Sequence, residues 1–205
     1  GSLTGPMDDY QNPRWRLNRL VAGEFSTTGL SNHFDVGLTS IPSHRNHLQL
    51  NLTSVGGLKE SLRPMSEFQR YVAILDIDGN SWSSRFGTLL CFNSVILKVE
   101  PQYVDYFMKD LQPWKHFIPV KYDLSDLAKQ AAFAMNNERA VREIITAANT
   151  WCRERMVRQS IADDFLDIWE TYVELLDVAD PNWPKLWRTE KKRIVNDTRN
   201  QMGLL

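Results

Sequence analysis

The chain has 205 residues, 42% hydrophobic and 24% charged, enough apolar content to bury the core of one domain. Its 24 Lys and Arg nearly balance 25 Asp and Glu, for a net charge of -1, so no overall field draws it to nucleic acid or an anionic membrane. No stretch approaches the ~20 apolar residues of a spanning helix, and GSLTGPMDDY lacks the basic and apolar regions of a signal peptide; the expectation is a soluble chain whose anions are held locally.

In chain order, PRWRLNRLVAG opens on Pro13, carries Trp15, Leu17, Leu20 and Val21 at helical spacing and stops at Gly23, which predicts a short helix. FDVGLTSI (34–41) reads as a strand, and the polar stretch from His44 to Pro64, with its Gly pair, as a surface excursion. YVAILDI (71–77) is a continuous apolar run rich in β-formers, the pattern of a strand buried on both faces of a parallel sheet. SWSSRFGTLLCF (81–92) then predicts a helix, SVILKV (94–99) a second buried strand, YVDYFMKDL (103–111) a second helix and HFIPV (116–120) a third strand. From Asp123-Leu-Ser-Asp the remainder reads as almost all helical, with Asp123 and Ser125 as cap residues and interruptions near Asp180-Pro181 and Pro184. This alternation argues a doubly wound α/β sheet with a helical C-terminal tail, and ligands in such folds bind beyond the carboxyl ends of the strands.

The segment ILDIDGNSWSSRF occupies that place, and three chemistries compete for it. A DxDG turn could supply an aspartyl nucleophile to a metal-dependent phosphatase. Asp76 and Asp78 could instead hold a divalent ion against a sugar-nucleotide diphosphate. In the third reading no metal is needed: the Gly79 turn, the helix start, the Ser83 and Ser84 hydroxyls and the forked Arg85 guanidinium hold the phosphates. Against it stands the plain alternative that Ser83 only caps a helix and Arg85 is a solvated surface residue.

Cys91 and Cys152 could pair or could both be buried thiols. Sequons at Asn51-Leu52-Thr53 and Asn196-Asp197-Thr198 permit a secretory location. His116 reads as a structural histidine, and the tail tryptophans Trp151, Trp169, Trp183 and Trp187 as packing residues.

Taken together, YVAILDIDGNSWSSRFGTLLCFNSVILKV and LQPWKHFIPVKYDLSDL closely resemble glycosyltransferase family 90, which includes Rumi-like protein O-glucosyltransferases and fungal capsule xylosyltransferases. GSLTG at residues 1–5 resembles the turn that opens the family's donor-binding half, and NPRWRL (12–17) its following basic segment. The resemblance implies a GT-B enzyme with two Rossmann-like lobes, of which this chain looks like the C-terminal donor lobe (1–160) followed by a helical tail (161–205). It implies an inverting transfer of glucose or xylose from a UDP-sugar to a protein or glycan hydroxyl, in the lumen of the endoplasmic reticulum or Golgi. No metal is expected, and the general base is expected on the N-terminal lobe, outside this chain. By motif, Ser2, Arg14, Asn80, Ser81, Trp82, Ser83, Ser84 and Arg85 are the expected UDP-sugar contacts. Asp76 and Asp78 then become residues that orient Arg85 and the turn.

Overall fold

The computed structural model describes residues 13–27, 30–37, 64–79 and 81–179. By its internal contacts the chain divides into two compact units, residues 1–150 and 151–205. The first is a mixed α/β unit around a three-stranded parallel sheet.

Helix α1 (Pro13–Ala22) forms as its spacing predicts, with Trp15 and Leu17 buried, and the Gly23 amide closes it on Arg19 O at 2.8 Å. A single turn, α2 (Glu24–Thr27), follows. The expected strand at 34–41 does not form over residues 34–37, where Phe34 instead lays its ring on Phe25 at 5.1 Å; residues 38–41, like the predicted excursion up to residue 63, lie outside the described residues.

The apolar runs give strands β1 (Ala73–Asp76), β2 (Val95–Val99) and β3 (Ile118–Val120), ordered β1-β2-β3 with both pairings parallel. The order is monotonic, so these three strands contain no point where it reverses. β2 is buried along its whole length because both its faces are covered. Val95, Leu97 and Val99 point with Ile118 and Val120 into a core shared with Leu17 of α1, Leu127, Ala131 and Ala134 of α4 (Leu127–Asn136), and Val141 and Ile144 of α5 (Glu138–Arg155). Lys98 alternates to the opposite face, its ammonium 4.9 Å from the centre of the Phe86 ring, which also packs on Phe107 and Phe117.

Both crossover helices come out shorter than the sequence predicts. Of residues 81–92 only α3 (Phe86–Leu89) is helical, since Ser83 and Arg85 are drawn to Asp76 of β1 by side-chain bonds, which keeps the segment before Phe86 out of the helix. The helix expected over 103–111 is a 3-10 turn, Tyr106–Asp110, started by Asp105 accepting from the Tyr106 amide and ended by Leu111, which is extended.

His116 enters β3 from a tight turn. Its Nδ1 accepts the Gln112 amide at 2.9 Å, and burial, helped by the Lys115 charge, lowers its pKa from the usual 6.5. The unfolded chain therefore takes up a proton near pH 6.5 that the folded chain refuses. The stability His116 contributes is complete above that pH and is lost as the pH falls through the folded-state value. Urea midpoints measured from pH 7.5 to 5 should fall with pH, and His116→Gln should flatten that slope; an unchanged slope would mean another group sets it.

Beyond β3 the helical stretch is less continuous than expected. Asp123 accepts the Ser125 amide, which holds its carboxyl below the usual range, and Leu124 takes a left-handed φ of 59°. α4 therefore begins only after Asp126, which caps by position while its side chain accepts from Lys121 N and Gln130 Nε2. A break at Asn137 separates α4 from α5, and another near Val157 precedes α6 (Arg158–Ala179). In the second unit Arg155 clamps Asp164 through both carboxylate oxygens, and α6 buries Ala162, Leu166 and Val173. Its opposite side exposes Ile161, Phe165, Ile168, Tyr172 and Leu175. The predicted interruptions near 180 and 184 lie outside the described residues.

Candidate functional site

β1 ends at Asp76, and the chain turns through Ile77, Asp78 and Gly79 before reaching α3. Asp76 has no solvent exposure, and a lone carboxylate there would be severely destabilised. Three donors offset that cost: Ser83 Oγ at 2.6 Å and Arg85 Nη2 at 3.1 Å on one oxygen, Lys98 Nζ at 2.9 Å on the other. The parallel register makes this arrangement inevitable for Lys98, because Asp76 and Lys98 are direct partners across β1 and β2.

The same ammonium reaches Asp78 Oδ1 at 2.7 Å, while Asp78 Oδ2 accepts the Gln102 amide at 3.2 Å. Lys98, only 3% exposed, thus bridges both aspartates. Nearby, the Tyr122 hydroxyl accepts from Gln102 Nε2, and burial together with the Asp78 charge raises its pKa above the usual 10.0.

Arg14 approaches the turn from α1. Its Nε donates to Asp78 O at 3.0 Å and its Nη2 to Ile77 O at 3.2 Å, and Asn18 Nδ2 ties down the Arg14 carbonyl. Arg85 Nη2 shares the Ile77 carbonyl at 3.4 Å. Two guanidiniums therefore converge on one peptide turn. Burial lowers the Arg14 pKa from its ordinary value, and the neighbouring Arg85 charge lowers it further against the opposing pull of Asp76 and Asp78. Among the described residues, Arg14, Arg85 and Lys98 thus gather with Asp76 and Asp78 at the carboxyl end of β1.

The structure thus brings together Arg14, Ser83 and Arg85 from the sequence-predicted set. Ser83 is buried, with its hydroxyl proton directed to Asp76, whereas Arg85 is one-third exposed at the edge of the cluster. Ser83 does not cap α3: that position falls to Arg85, and the Phe86 amide donates to Ser83 O. Trp82 presents an exposed indole, Ser84 is exposed and Ser81 half-buried, and the Trp82 carbonyl accepts the Gly79 amide at 3.4 Å. Ser2 and Asn80 lie outside the described residues. Asp76 does orient Arg85, as expected; Asp78 is held by Gln102 and Lys98 and lends its carbonyl to Arg14.

Lys98 is the residue the sequence reading passed over. The signal was available: a single charge inside the apolar run VILKV must meet a counter-charge or leave the strand.

The donor set bears directly on the aspartate chemistries. A nucleophile must reach its substrate, and Asp76 is fully enclosed. A divalent ion held by both carboxylates would have to displace the ammonium already bridging them. Among the described residues no group of three or more His, Cys, Asp or Glu side chains forms a metal cradle.

The chain is similar to protein O-glucosyltransferase 2 of Danio rerio, 29% identical over 109 residues that cover 53% of this chain and 22% of that protein. It is likewise similar to protein O-glucosyltransferase 3 of Homo sapiens, 26% identical over 116 residues (57% and 23%). Protein O-glucosyltransferase 1 of Rattus norvegicus is 30% identical over 101 residues (49% and 25%). The chain spans about a quarter of the length of these relatives. Residues 49–200 match the sequence model of Glycosyl transferase family 90, a match that includes β1, the Asp76–Arg85 turn and all of the sheet, and the chain belongs to that family.

Proposed function

We propose that this chain is the donor-binding, Rossmann-like part of a GT-B glycosyltransferase that passes glucose or xylose from a UDP-sugar to a protein or glycan hydroxyl, inverting the anomeric centre. The observation that carries the reading is the convergence of Arg14 and Arg85 on the Ile77–Asp78 carbonyls. A sugar-nucleotide transfer leaves a diphosphate, and the developing charge must be met by groups already in place. Two guanidiniums fixed by carbonyls and by Asp76 are such groups, with little left to reorganise when the anion arrives.

In this reading Lys98 has a different task. Bridging Asp76 and Asp78, it supplies the internal cation that a DxD enzyme would take from solution, and so favours a metal-independent site. The hydroxyls of Ser81 and Ser84 and the exposed Trp82 lie along the same turn, and with Ser2 and Asn80 they complete the proposed donor contacts. Deprotonation of the acceptor belongs to a base on the partner lobe of the full enzyme, since inversion needs only one such group. Both cysteines are disulfide-bonded, which fits an oxidising compartment and hence the secretory lumen in which we place the enzyme.

Calorimetry with UDP, UDP-glucose, UDP-xylose and GDP, each with and without chelator, tests the reading. The uridine nucleotides should bind more tightly than GDP and be indifferent to the chelator. Binding that appears only with added manganese or magnesium would restore the DxD chemistry, and no nucleotide binding at all would end the proposal.

A further inference from the structure

Helix α6 carries more apolar surface than it buries. Ala162, Leu166 and Val173 are buried along one stripe. Beside them Ile161, Phe165, Ile168, Tyr172 and Leu175 recur at alternating spacings of four and three residues, a period that lines them up along one side of the helix, and each is 41–64% exposed. A row of large apolar side chains about 20 Å long is a patch that a soluble domain keeps for an occupant.

The row is already shaped. Phe165 stacks on Trp169 with ring centres 6.4 Å apart, and Trp169 leans on Tyr172 at 6.0 Å. Rings held against one another lose less rotamer freedom when a second surface arrives. The shape suits an elongated segment laid along the helix better than a small molecule.

Charge decides which segment. From Arg158 to Ala179 the helix has six acidic residues and Arg158 as its one base, and Asp167 and Glu174, both exposed, immediately precede Ile168 and Leu175 of the row. Two copies of α6 set face to face would bring acid against acid, so a cationic occupant is favoured. Residues 185–199 have that chemistry. They carry Lys185, Arg188, Lys191, Lys192, Arg193 and Arg199 against Glu190 and Asp197, with Leu186-Trp187 and Ile194-Val195 as two apolar pairs. They fall within the same compact unit as α6, residues 151–205, and only residues 180–184 separate them from the end of the helix. So short a tether keeps the two at a high effective concentration.

We propose that the exposed face of α6 is the docking site of the cationic segment 185–199 of the same chain. Its apolar pairs meet the row from Phe165 to Tyr172, and its lysines and arginines face Asp167 and Glu174. The inference stands independently of the donor reading.

Carbodiimide coupling, which joins a carboxylate to an amine only where the two touch, tests this on the full chain in a mixture of unlabelled and isotope-labelled protein. Mass spectrometry should find links from Asp167 and Glu174 to Lys185, Lys191 or Lys192, always within one label. Phe165→Asp and Ile168→Asp, at exposed positions where the fold tolerates them, should each cut these links several-fold. Links that join labelled to unlabelled chains put a second copy on the face and overturn the proposal. Links no more frequent than those from the same lysines to Glu138 and Glu143, which are exposed on α5, overturn it too. So do links that both variants leave unchanged, since the tether alone would then account for them.

Discussion

Lys98→Met will destabilise the first unit by about 3–5 kcal/mol, the scale for removing one partner of a buried ion pair. The methionine keeps the stem's volume and its packing near Phe86, so cavity formation contributes little and the loss is electrostatic. Asp76, with no exposure, would be left with Ser83 and a one-third-exposed Arg85. Asp78 would keep only the Gln102 amide of its present side-chain bonds. Both carboxylates would have lost the ammonium they now share at 2.9 and 2.7 Å. Urea denaturation should show a lowered midpoint with little change in slope. Adding Asp76→Asn to Lys98→Met should recover part of the loss, because a neutral amide needs no counter-charge; additive losses would mean the two residues do not work as a pair. A midpoint within experimental error of the unaltered chain would refute the network as a determinant of stability.

That network also explains how far the sequence could be read. The three strands were legible because burial on both faces writes itself as an unbroken apolar run, as in VAILDI and SVILKV. Pro119, inside β3, fits a strand whose only pairing among the described residues is to β2. The helices around the turn were over-read for a complementary reason. SWSSRF has residues compatible with a helix, but Ser83 and Arg85 have a stronger competitor in a bare carboxylate seven and nine residues back. Local propensity loses to one long-range charge. The 3-10 turn at Tyr106–Asp110 and the coil at Phe34 are decided likewise by packing, on Phe86 and Phe25, that no local pattern encodes. At the site, Arg85 and its carboxylate partner were visible as a motif. The approach of Arg14 across more than sixty residues was visible only through family resemblance, and Lys98 only by asking what a lone charge does in a buried strand.

Arg85→Ala should weaken UDP binding by about 2 kcal/mol, or roughly 30-fold, the loss expected when a charged hydrogen-bond partner of an anion is removed. The residue is suited to that task by what it does not do. Asp76 engages its Nη2, yet one third of its side chain faces solvent, leaving donors of the guanidinium fork for a ligand. Arg14, more deeply placed and spent on two backbone carbonyls, has less to offer directly; its charge raises the local potential. Arg85→Lys should fall between, keeping the charge and losing the fork. The folding cost of Arg85→Ala should stay well below that of Lys98→Met, since Asp76 keeps Ser83 and Lys98 and the lost pair is partly screened by water. The two variants therefore dissociate: one lowers the urea midpoint most, the other lowers nucleotide affinity most. Calorimetry that finds UDP affinity in Arg85→Ala equal to that of the unaltered chain removes Arg85 from the donor site, whatever happens to stability.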